Sequence, residues 1–60
     1  MKLEEIVVGD YVLLQSAPFT KEHALIKSTN PETGKVIVRL SNGQISEIAP
    51  EYIIKSFGPL

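Results

Sequence analysis

Glycine and proline punctuate this chain so regularly that little is left for a helix to use. Gly9, Pro18, Pro31, Gly34, Gly43, Pro50, Gly58 and Pro59 are spread along 60 residues. No stretch of eleven residues holds a 3.6-residue apolar period without a breaker. The intervals between them are short and rich in β-branched and aromatic residues, which suit a pleated, half-buried surface. The chain is therefore expected to be all-β.

Each interval has its own reading. Residues 7–15 read as a strand entered through the Gly9-Asp10 turn, and 16–22 as a loop in which Pro18 bars regular sheet pairing. Residues 23–29 form a second strand, ended by a turn over 30–34. There Pro31 presets φ, and Gly34 supplies the positive φ that leaves the turn. Residues 35–40 are the clearest strand, with Val36, Val38 and Leu40 on one face. Asn42-Gly43 is expected to make a two-residue type I′ hairpin turn into 44–49. Residues 50–53 suit one 3₁₀ turn, and 54–57 a last short strand.

This order predicts a five-stranded SH3-like barrel with one 3₁₀ turn before the last strand, a single domain over 1–60. Its interior takes Val8, Val12, Leu14, Ala24, Ile26, Val36, Val38, Leu40, Ile45, Ile48 and Ile54, with Phe57 also assigned to the core. The alternate positions face outward. They place Leu13, Leu25 and Ile37 side by side across three strands, with Tyr11 near them. Charge is uneven as well. Residues 21–40 carry Lys21, Lys27, Lys35 and Arg39 against Glu22 and Glu32, whereas the segments on either side are net acidic. His23 adds to the basic hairpin whenever it is protonated.

Several stretches resemble known small-barrel modules. Val8-Gly9-Asp10-Tyr11-Val12-Leu13-Leu14 is similar to the opening of the C-terminal domains of retroviral and retrotransposon-type integrases, whose barrel is associated with nucleic acid. Residues 33–43 resemble the central hairpin of KOW and Tudor-type modules, and 50–53 the 3₁₀ turn of SH3 domains. The resemblances imply a barrel and a binding role. They do not carry over a complete site. The chain has no tryptophan for an SH3 groove, leaving Tyr11, Phe19, Pro50 and Tyr52 as a reduced version. The KOW glycine is absent where His23-Ala24 opens the second strand. The Val-Gln-Ile-Tyr segment of plasmid-type dihydrofolate reductase is missing too.

Nothing in the sequence assembles a catalytic or metal-binding constellation. There is no cysteine, a lone histidine, no glycine-rich phosphate cradle and no acidic run with metal-loop spacing. The expectation is a non-enzymatic chain without cofactor. The longest apolar run, 11–14, falls far short of the about 20 residues that span a bilayer. With no export signal, a cytoplasmic setting is expected, and the starting methionine with a barrel-length chain favours a complete small protein. Two binding readings follow. In the first, an unknown protein partner or a second copy docks on Tyr11, Leu25, Ile37 and Tyr52. In the second, nucleic-acid phosphates meet Lys21, Lys27, Lys35 and Arg39, with a tyrosine stacking on a base.

Overall fold

A computed structural model of the chain describes residues 1–17 and 20–59. It is all-β: β1 (Asp10–Ala17), β2 (Thr20–Asn30), β3 (Lys35–Leu40), β4 (Ile45–Ile48) and β5 (Ile53–Pro59). Two 3₁₀ turns complete it, Leu3–Glu5 before β1 and Pro50–Tyr52 before β5. The strands make one sheet of order β4-β3-β2-β1-β5, with every neighbouring pair antiparallel. Hydrogen bonds do not close it into a barrel, so β4 and β5 are its edges. Of the expected loop 16–22, residues 16–17 belong instead to β1 and 20–22 to β2, because the β1–β2 pairing continues to Ala17 and Thr20. Pro18 and Phe19, the latter also assigned to the reduced groove, lie outside the described residues.

Alternation along the strands builds the core. Val12 and Leu14 of β1, Ala24 and Ile26 of β2, Val36 and Val38 of β3, and Ile53 of β5 are each at most 2% exposed. All point to one face, and the described residues contain no second layer of helices or strands to cover it. The sheet must therefore wrap its own inner face. Met1, Leu3, Ile6, Leu40 and Ile48 pack around the seven buried residues. The N-terminal segment is also tied to β5, because the Met1 ammonium donates to the Ile53 carbonyl at 3.3 Å.

Four expected core positions (Val8, Ile45, Ile54 and Phe57) and one turn differ from this arrangement. Val8 is 57% exposed because β1 starts at Asp10. Residues 7–10 instead form a turn, in which the Asp10 N–H donates to the Val7 carbonyl. Ile45 is 54% exposed, since its pairing with Arg39 gives it the outward parity of that strand. Ile54 is 47% exposed and Ile53 takes its place inside. There the register runs Leu13 to Lys55 and Leu14 to Ile53, leaving Ile54 as the extra residue of a bulge.

The β3–β4 turn is longer than two residues. Leu40 accepts from the Gly43 N–H at 2.9 Å and donates to Gln44 at 2.8 Å, enclosing residues 41–43. Gly43 alone has positive φ, at 90°, while Asn42 does not. A type I turn closed by a left-handed glycine follows the right-handed twist of the strands without straining Asn42. The Asn42 side chain instead accepts from the Gln44 N–H.

Candidate functional site

The outer face of the sheet is where chemistry accumulates, and the strand register fixes what meets there. One row across the sheet pairs Tyr11 with Leu25, Leu25 with Arg39, and Arg39 with Ile45. A second row pairs Lys55 with Leu13 and Leu13 with His23. A third pairs Ser28 with Ile37 and Ile37 with Glu47. Leu13, Leu25 and Ile37 thus occupy three successive rows as a diagonal, not one row. Diagonal cross-strand neighbours lie about 7–8 Å apart, within reach of long side chains. All three are half-buried, as is Tyr11.

At the β2-β1-β5 end of this face, three rings form a cluster. Tyr11 and His23 stack with centroids 5.3 Å apart and planes 5° from parallel. Phe57 lies 6.1 Å from Tyr11 and 5.8 Å from His23, tilted about both. Lys55 places its Nζ 5.3 Å from the centre of the Phe57 ring. Tilted and offset ring pairs are each worth about 0.5–1.5 kcal/mol beyond the area they bury.

Phe57 arrives there through a second bulge. Tyr11 pairs with Gly58 and Val12 with Ser56, so Phe57 is the additional residue between them. Gly58, at a φ of 83°, accepts the left-handed turn this needs. Ser56 secures the bulge by donating to Asp10 Oδ2 at 3.2 Å and accepting from the Gly58 N–H. Phe57 is consequently 49% exposed, not a core residue as expected.

The charges of the face are equally one-sided. Lys21, Lys35, Arg39 and Lys55 have outward parity in the register. Lys27, the extra residue of a β2 bulge, is exposed on an interior strand of the sheet and so faces outward too. Glu47 is the single carboxylate in these outward rows. The other acids sit elsewhere: Glu4 and Glu5 on the first 3₁₀ turn, Asp10 and Glu22 at inward parity, Glu32 in the β2–β3 turn and Glu51 on the second 3₁₀ turn.

Of the residues singled out in the sequence, Tyr11 and Leu25 pair directly, and Ile37 lies diagonally from Leu25. Tyr52 is not brought to them by the register. It is 45% exposed on the 3₁₀ turn that precedes β5. The four basic candidates share the face but span it, from Lys21 opposite Gln15 to Lys35 opposite Asn30. Sequence reasoning missed Lys55 and Phe57. Their place on this face is set by the two bulges in the β1–β5 pairing, which alternation along one strand does not reveal.

Among the described residues, no group of three or more His, Cys, Asp or Glu is placed to hold a metal ion. No helix there is long and apolar enough to cross a membrane. Comparisons with family models, curated proteins and solved structures give no match.

Proposed function

We propose that the chain is a non-catalytic binding module of SH3-like form whose outer sheet face takes nucleic acid. The carrying observation is the segregation of charge: Lys21, Lys27, Lys35, Arg39 and Lys55 project from that face, with only Glu47 opposing them there. A chain of net charge −1 therefore offers a phosphate backbone a locally basic surface. The barrel form is supported by β5 lying beside β1 and by the 3₁₀ turn leading into β5. A cationic ligand such as a methylated lysine fits poorly, because the rings that would cage it are flanked by Lys55 and Arg39.

The test is calorimetric titration with a mixed-sequence oligonucleotide, in single- and double-stranded form, at low and then physiological salt. Binding should weaken steeply as salt rises, because released counterions drive it. Charge reversal by Lys27→Glu with Arg39→Glu should abolish it, while Lys2→Glu, beside the first 3₁₀ turn, should leave it intact. Absence of binding to either form at low salt would overturn the proposal.

A second reading is favoured by Ile45, which is 54% exposed in the same row as Arg39, Leu25 and Tyr11. It is self-association, or docking of a protein partner, through that face. Equilibrium sedimentation should then show a dimer that Ile45→Asp dissociates with little dependence on salt.

A further inference from the structure

Resting on the nucleic-acid reading, we infer that the face is selective for single strands, with Tyr11, His23 and Phe57 forming the platform on which an unpaired base stacks. Phosphate attraction alone gives no preference for a single strand, since a duplex carries the denser charge, and it needs no aromatic surface. Yet the three rings lie within 6.1 Å of one another, and Phe57 remains 49% exposed although the core beneath is complete.

The rings are bordered by the groups a backbone would need. Lys55 lies against the Phe57 ring, and its row continues through Leu13 to His23. Arg39 stands beyond Leu25 in the Tyr11 row. Lys55 and Arg39 are three strands apart, about 14 Å at the usual strand spacing. A base lying on the rings would thus have a cation on either side of it for the flanking phosphates.

Geometry separates the two forms of nucleic acid. A duplex turns its phosphates outward and keeps its base faces stacked inside, and the major groove admits a helix or a two-stranded ribbon, not the broad face of a five-stranded sheet. Against a duplex the ring cluster would meet nothing. An unpaired base presents its π face to any aromatic surface, whatever its identity, so the inferred ligand is a single strand bound with little sequence preference.

The experiment compares four ligands of equal phosphate count at one low salt concentration: oligodeoxyuridine, oligouridine, an abasic deoxyribose strand and a hairpin duplex. Either base-bearing strand should bind about tenfold or more tighter than the abasic strand and the duplex. The tighter of the two identifies DNA or RNA as the source. Phe57→Leu keeps an apolar side chain at an exposed position and should reduce that preference severalfold. Equal binding of base-bearing and abasic strands would overturn this inference and leave the charge-based proposal standing. Binding of none of the four would overturn both.

Discussion

The Tyr11–His23 stack joins two strands on a surface that solvent reaches, and its planes lie within 5° of parallel. A pair held this way should be energetically coupled. A double-mutant cycle with Tyr11→Leu and His23→Ser, followed by urea unfolding, should return a coupling of about 0.5–1.5 kcal/mol. A coupling of zero would mean that the rings are merely adjacent. Gly43 offers a second test at this scale. Its φ of 90° is one that a side chain resists, and no atom lies within 4 Å of where a Cβ would stand. Gly43→Ala should cost about 1–2 kcal/mol through backbone strain alone, read from the urea midpoint.

Among the strands, β5 carries the most information per residue, because two bulges decide which of its side chains enter the core. Ile53 is 1% exposed and Ile54 is 47% exposed, although they are identical neighbours. Ile53→Val should cost about 0.5–1.5 kcal/mol, the usual result of removing a buried methylene. Ile54→Val should stay within about 0.5 kcal/mol. Equal effects would place the bulge elsewhere. The same strand marks where the sequence became hard to read. Alternation identified the inner faces of β1, β2 and β3, because Val12/Leu14, Ala24/Ile26 and Val36/Val38 keep strict period two. The extent of β3 and the Gly34 turn were legible from β-branching and turn chemistry, with Gly34 at a φ of 72°. A bulge leaves no such mark. It is a mismatch between two strands, and period-two reasoning treats one strand at a time. Ile45 failed for a related reason: its face is set by pairing with Arg39, and the three-residue turn shifted that pairing from the one a type I′ hairpin would impose. The candidate site was half legible. Tyr11, Leu25 and the hairpin cations could be located by parity, whereas the ring cluster required knowing that β5 lies beside β1.

For the molecule as a whole, the accessible surface of 3984 Å² is close to the about 3,900 Å² expected of a folded monomer of this mass. The core behind that surface is small, and a domain of this size rarely holds more than about 3–5 kcal/mol. Self-repulsion among the five outward cations therefore matters. Raising salt to physiological strength shortens the Debye length to about 8 Å and should raise the melting temperature of the free protein. Salt should thus stabilise the fold while weakening its hold on nucleic acid, and a melting temperature that falls with salt would contradict the charge map. The ring stack also has a practical consequence. With no tryptophan and only two tyrosines, ultraviolet emission from this chain comes from Tyr11, inside the cluster, and Tyr52, away from it. The unmodified protein is therefore its own optical probe: quenching that disappears in Tyr11→Phe reports an event at the outer face, and quenching that persists reports one at the turn.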